Sequence, residues 1–502
     1  MSQRTTGTLL AYALIVVRIV VTLFYTPILV GELGQAAYGL FALVGALAAY
    51  LYVLDFGIND SVLRFFVAHG DRRDVRDAFL ARMLVLYLGI AGLVALALGG
   101  MVALIGPVFA RSIAPDQIET LRIMMVLTGI GAVALVAGNP VAALLSASER
   151  FVFLRGLEMA GVIGAALLNT WFLFQGFGAV AVVAVLTSTM LLQVLARVVY
   201  AVVVLGVRPG SPRPDRAELG RVARYAAPIF VSMLAEVVFW RLDAAIIAAL
   251  IGAAPVAIYA IGVTFKTYFM SFATAMSRAI TPEIVRRVDA GAGAAEITDL
   301  MVRISRLQAL VLFLILGALI VFGLRFITLW LGPGYEQSYI VMLLVLGPYA
   351  LELTGNARNI VLQVSGLYWR KSAITIAMAL LNVPLTILLI GPFGVIGAAA
   401  STSVAILVNY LLIARLLQSA LGLDMARYWR GTAQGILPVF IAATLAFQLL
   451  EPLIPEGWFW LVVGCLIYTL AYATAAWRFA MNDQERGRLI ALTRLFHRTA
   501  AR

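Results

Sequence analysis

Five basic residues, Arg18, Arg197, Arg241, Lys266 and Arg358, and four acidic ones, Glu158, Glu236, Asp243 and Glu352, fall inside runs that are otherwise long and apolar. Guanidinium and ammonium groups in such surroundings are anion ligands: arginine grips a phosphate or carboxylate through paired hydrogen bonds, and lysine acts as a point charge. A charge facing lipid at mid-depth costs at least roughly 2.5–3.5 kcal/mol. Arg18, in the middle of "LLAYALIVVRIVVTLFYTPILV" (9–30), is therefore expected to face a protein interior or a watery cavity. Arg18, Arg241, Lys266 and Arg358 are the candidate ligands of an anionic substrate. Arg197 lies nearer the end of its run and is expected to snorkel toward the surface.

The acidic residues suggest a second chemistry. Glu236 and Asp243 stand seven positions apart, on one face of a helix, where they would line a common wall. Together with Glu352 they are candidates for ion coupling, by changing protonation with H⁺ or by holding Na⁺. The alternative is internal pairing of these three acids with Arg241, Lys266 and Arg358, although buried ion pairs rarely stabilise a fold beyond what apolar packing supplies. Glu158 is expected near the inner surface and solvated, which leaves Arg18 without an acidic neighbour at its own depth. Asn169 and Asn382 are expected to pack between helices. The two histidines, His69 and His497, and the single Cys465 form no metal spacing, and no phosphate-binding glycine loop is present. No enzyme activity, metal, cofactor or disulfide is expected.

The elements that must position these residues are membrane helices. The chain is 63% hydrophobic and 12% charged over 502 residues, with a mean hydropathy of +1.00. Its apolar runs suit helices rather than the short alternating strands of a membrane barrel. Fourteen spans are predicted, at 7–30, 37–57, 79–105, 119–146, 152–175, 178–206, 223–251, 255–279, 301–331, 336–365, 370–391, 393–420, 432–453 and 457–480. With a cytoplasmic N-terminus most of the 37 basic residues fall on the inner side, and the outer side receives Arg111, Arg122 and Arg325. The positive-inside rule then puts both ends in the cytoplasm and reads the +12 net charge as topology rather than nucleic-acid affinity. The tail 486–502 could lie as a basic amphipathic helix on anionic lipid.

A weak internal duplication organises the spans. "ILVGELGQAAYGL" (28–40) matches "ALIGAAPVAIYAI" (249–261), "GNPVAALLSASERF" (138–151) matches "GNARNIVLQVSGLY" (355–368), and "LLNTWFLFQGFG" (167–178) matches "LLNVPLTILLIGPFG" (380–394). The matches equate spans 1, 4 and 5 with spans 7, 10 and 11. The expectation is an all-α polytopic protein of two six-helix lobes in parallel repeat, with a substrate path between them. The boundaries are an N-lobe 1–206, a Pro-, Gly- and Arg-rich linker 207–222, a C-lobe 223–420, and a final region 421–502 with spans 13 and 14 and the basic tail.

The pattern "RIVVTLFYTPILVGELGQAAYGLFAL" (18–43) followed by "LYVLDFGINDSVLRFFV" (51–67) resembles the polysaccharide-transport family of lipid-linked oligosaccharide flippases. That family lies in the superfamily of multidrug, oligosaccharidyl-lipid and polysaccharide exporters. The resemblance rests on a basic first helix, the Gly-x-x-Gly-x-x-x-Tyr-Gly turn of Gly31, Gly34, Tyr38 and Gly39, and the Asp-x-Gly ending of Asp55 and Gly57. It implies export of an undecaprenyl-diphosphate-linked oligosaccharide from the inner to the outer leaflet of a bacterial inner membrane by alternating access. Such export serves surface polysaccharide synthesis (O-antigen, exopolysaccharide or capsule), with a polymerase and glycosyltransferases as possible partners. The competing readings are a lipid II flippase and a cation-coupled multidrug exporter. A membrane glycosyltransferase would call for a large outer loop, and every predicted outer loop is short.

Overall fold

A computed structural model describes residues 3–55, 58–69, 73–208 and 216–487. The segment 209–215 of the expected linker, Gly57 of the Asp-x-Gly ending and nearly all of the basic tail (488–502) lie outside them. Every regular element among the described residues is a helix. Eleven of these helices are long and apolar enough to cross a membrane. Two of them are much longer than one crossing. The apolar part of α1 (Gln3–Val53) runs for 45 residues and that of α12 (Tyr368–Leu421) for 54. At 1.5 Å per residue, even the shorter is about 68 Å long, more than twice a hydrocarbon core of about 30 Å.

Both are broken by a glycine. Gly34 adopts φ 73°, ψ 168° and Gly394 adopts φ 57°, ψ −138°, conformations nearly closed to residues with a side chain. Each long helix thus supplies two predicted spans. With α7 (Arg216–Ile251), which carries Glu236, Arg241 and Asp243 within its apolar stretch, about fourteen crossings result. The chain is a multi-pass helical membrane protein. Leu96, Leu449 and Leu453, each more than 70% exposed, belong to the apolar outer surface that lipid requires.

The chain divides into two compact units, Met1–Ala260 and Ile261–Arg502. In the first, α1 packs on α4 (Pro115–Ala147), α5 (Phe151–Phe174), α6 (Ala179–Val203) and α7. The helix α3 (Arg73–Phe109) lies on α4, and the short α2 (Ile58–His69) lies on α4 and α7. Two glycines of the motif have separate reasons. Gly34 makes the break. Gly39 lets α1 approach the start of α8 (Ala253–Asp289) so closely that a Cβ there would stand 1.9 Å from the Ala253 carbonyl oxygen. Tyr38 is buried, and Asp55, also buried, accepts a 2.9 Å hydrogen bond from Asn139 Nδ2 of α4.

In the second unit α9 (Ala294–Leu331) is central. It packs on α10 (Glu336–Thr354), α13 (Met425–Ala433), α14 (Ile436–Leu450) and α15 (Trp458–Ala475). The predicted tenth span is two helices, α10 and α11 (Asn356–Val364), divided at Gly355, and α12 packs on both. Neither α2 nor α13 was among the predicted spans. Both are short and amphipathic, and a search for long apolar runs passes over such helices.

The duplication has a backbone counterpart. Glu149 is the one described non-glycine residue with positive φ, at 56°. In the aligned segments 138–151 and 355–368 it stands opposite Gly366, whose φ is 72°. Both halves therefore turn left-handed at the same place, after α4 and after α11.

Candidate anion-binding site

The helices α1 and α5 run side by side from a close contact in which Gly7 lies against Phe151, where a Cβ on Gly7 would be 2.5 Å from the Phe151 Cβ. Two turns further along α5 is Glu158, and Arg18 reaches it from α1. One Nη2 of Arg18 pairs with Glu158 Oε1, and Arg155, one turn earlier on α5, pairs with Oε2 at 2.8 Å. The expectation that Arg18 lacks an acidic neighbour is therefore corrected. Residue 158 comes level with the arginine's long reach, and the carboxylate is one-quarter exposed rather than freely solvated.

A third guanidinium stands nearby. Arg197 of α6 lies within electrostatic range of Glu158 but makes no ion pair with it, and its Nε is buried without a hydrogen-bond partner. The α5–α6 seam is close here: a Cβ on Gly161 would meet the Gln193 amide at 2.0 Å, and Phe153 stacks on Tyr200 at 4.0 Å. Further along α5, Asn169 is fully buried beside Tyr25 of α1. The cluster holds three positive charges against one negative, a surplus of two. Two such cations about 6 Å apart repel by about 3 kcal/mol at an effective dielectric near 20, so the site favours a further anion. Arg18 and Arg155 remain about half exposed, with side-chain exposures of 53% and 43%, and are accessible to one.

The remaining sequence candidates are distributed differently. Asp243 is 1% exposed and accepts a 2.6 Å hydrogen bond from the Tyr259 hydroxyl, with Tyr50 of α1 nearby. Glu236 shares its side of α7 by register yet is exposed, so the common acidic wall is open at one end and closed at the other. Arg241 is exposed on α7. In the second unit Lys266 lies over the Tyr349 ring, 5.9 Å from its centroid, and Glu352 is half-buried one turn beyond that tyrosine on α10.

Arg358 departs from the expected cavity wall. It is 2% exposed, sits 4.0 Å over the Tyr410 ring and 5.9 Å from that of Tyr428, and gives its Nε to the Gly355 carbonyl at 3.3 Å. A Cβ at 355 would come within 2.2 Å of that Nε, so a larger residue there would displace the arginine from its place over the rings. In this conformation the guanidinium is a packing cation with no face open to a ligand.

Sequence reasoning passed over Arg306, a basic residue inside the ninth span. It is buried in α9 and bonded to Glu485 at 2.6 Å and to the carbonyls of Gly431, Gln434 and Ala480. It also overlooked Arg155, whose place one turn before Glu158 was the available signal.

Several solved structures share this fold. A lipid II flippase MurJ structure in an inward closed conformation has a TM-score of 0.73 at 14% identity, over 93% of this chain and 98% of its own. An inward-facing multidrug resistance transporter of the MATE family, in the MOP superfamily, has a TM-score of 0.60 at 18% identity, over 81% and 98%. A MOP-superfamily transporter from Pyrococcus furiosus, described by a binding pocket of reverse polarity, has a TM-score of 0.52 at 17% identity, over 84% and 96%. Among curated proteins none matches the chain. Residues 6–288, more than half of its length, match the family described as polysaccharide biosynthesis protein. This helical membrane protein therefore belongs to the polysaccharide biosynthesis protein family and is built on the fold that MurJ and the MATE transporters share.

Proposed function

We propose that the protein is a flippase carrying an undecaprenyl-diphosphate-linked oligosaccharide from the inner to the outer leaflet of a bacterial inner membrane by alternating access. Both of its termini would be cytoplasmic, and its cargo would come from glycosyltransferases and pass to a polymerase of a surface polysaccharide. The observation that carries this reading is the surplus of two positive charges where Arg18, Arg155 and Arg197 surround Glu158. A diphosphate diester carries two negative charges, and arginine's planar donors suit its oxygens. Arg241 in the first unit and Lys266 in the second are further candidate anion ligands, each within its own unit, while Glu236, Asp243 and Glu352 are the groups through which H⁺ or Na⁺ would couple.

Direction is energetically reasonable. Each negative charge moved outward across about 100 mV, inside negative, gains roughly 2.3 kcal/mol, and a diphosphate about twice that. A lipid II flippase is the second reading, favoured by the similarity to MurJ, and it shares the diphosphate but not the sugar. A carrier of drug cations fits a positive cluster poorly.

The test is binding and transport by purified protein in proteoliposomes, with a prenyl-diphosphate sugar set against a cationic dye. The diphosphate lipid is expected to bind and the dye not to. Arg18→Ala is expected to lower binding at least tenfold and to abolish transport while leaving the protein folded. Dye uptake with no diphosphate binding would overturn the reading, and discrimination between a polymer repeat unit and lipid II would decide the cargo.

A further inference from the structure

Glu158 is the feature of this cluster that an anion site does not need. A carboxylate among anion-binding arginines weakens them for their ligand, yet here both of its oxygens are committed, Oε1 to Arg18 and Oε2 to Arg155. Those two bonds reproduce what two phosphate oxygens would make. We propose that Glu158 is a resident counter-anion that the diphosphate displaces on entry and that reclaims the guanidinia on exit. It is thus a positioning residue that sets how tightly the cargo is held and how fast it leaves. The inference rests on the diphosphate reading above.

Three observations point to exchange rather than to a permanent bridge. The arginines are the more exposed partners, at 53% and 43% against 26% for Glu158, so an incoming anion meets guanidinium before carboxylate. Arg155 is on the same helix as Glu158 and Arg18 on another, so releasing the carboxylate frees one donor group from each of two helices. Finally, Arg197 holds a buried Nε with no acceptor beside the cluster, a donor that a larger anion than a carboxylate could satisfy. A carrier also needs reversible binding. Three unopposed arginines would hold a dianion too long, and an internal competitor shortens the stay by offering the arginines another partner as the cargo leaves.

The experiment uses the full-length protein in nanodiscs, with a fluorescent short-chain prenyl diphosphate as probe, and in proteoliposomes for turnover. Glu158→Gln keeps the shape and removes the charge. It is expected to tighten probe binding about tenfold and to slow turnover by at least fivefold, opposite in sign to the binding loss of Arg18→Ala. A carboxylate whose role was structural would lose both binding and turnover on replacement. Glu158→Gln binding no tighter than wild type while Arg18→Ala binds weakly would overturn the counter-anion and leave the diphosphate site standing. Wild-type binding in both variants would instead overturn the site itself. If Glu158→Gln fails to fold, Glu158→Asp keeps the charge but is too short to span both guanidinia. A severalfold tightening there supports the proposal, and binding equal to wild type refutes it.

Discussion

Four arginines of this protein, from buried to exposed, show how differently one side chain can be used. Arg306 has its donors filled by a carboxylate and three carbonyls. Arg358 lies against tyrosine rings with Nη1 unpartnered, Arg18 shares a carboxylate, and Arg197 has a bare Nε. The energetic expectations follow from those surroundings. Arg306→Met strands Glu485, which is 2% exposed, and removing one member of a buried pair costs about 3–5 kcal/mol. A marked fall in the thermal midpoint in detergent is expected, with much of it recovered in Arg306→Met/Glu485→Met. If the double variant is no more stable than the single one, the pair is not the source of the loss. From the sequence, such residues are visible as charges in apolar runs, but the partner is not. Arg18 and Glu158 are 140 positions apart, and nothing in either run says that α5 lies beside α1. Arg358 was legible as deep, and the aromatic box around it was not, because Tyr410 and Tyr428 come from α12 and α13.

Among the elements, glycine positions decide where helices end and how near they approach. Gly39→Ala would push a methyl into the backbone carbonyl of Ala253, an atom no rotamer change can move, and a loss of roughly 1–3 kcal/mol is expected in thermal melts. The paired left-handed turns give a sharper comparison. Left-handed backbone costs a residue with a Cβ roughly 1–2 kcal/mol, so Gly366→Ala is expected to destabilise by about that much, whereas Glu149→Gly is not. Equal losses from both would show that the Glu149 side chain outweighs its strain. Helix number and order were legible because fourteen long apolar runs bounded by charge allow few other readings. The split of the tenth span at Gly355 was not, since the helix breaker in that run, Pro348, lies inside α10 rather than at the split.

For the whole molecule, the bias of Arg and Lys predicts the orientation and chemical labelling checks it. In a Cys465→Ser background, a cysteine at Glu456, between the η turn (Glu451–Leu453) and α15, is expected to react with a membrane-impermeant maleimide in intact cells. One at Ala290, after α8, is expected to react only after lysis. The opposite pattern would invert the topology and with it the direction of export. Transport in proteoliposomes is likewise expected to slow when the potential is collapsed, because two negative charges travel with each cargo.

The bond between Arg306 and Glu485 joins residues 179 positions apart and closes near the end of the described chain. During synthesis at about 5–20 residues per second, α9 must wait roughly 10–35 s for the carboxylate that neutralises it. Over that interval the second half of the protein sits in the bilayer with a guanidinium still seeking its acid. Its final settling is therefore timed by the arrival of the turn that carries Glu485, and quality control can inspect a nascent chain that has every membrane crossing in place but has not yet locked.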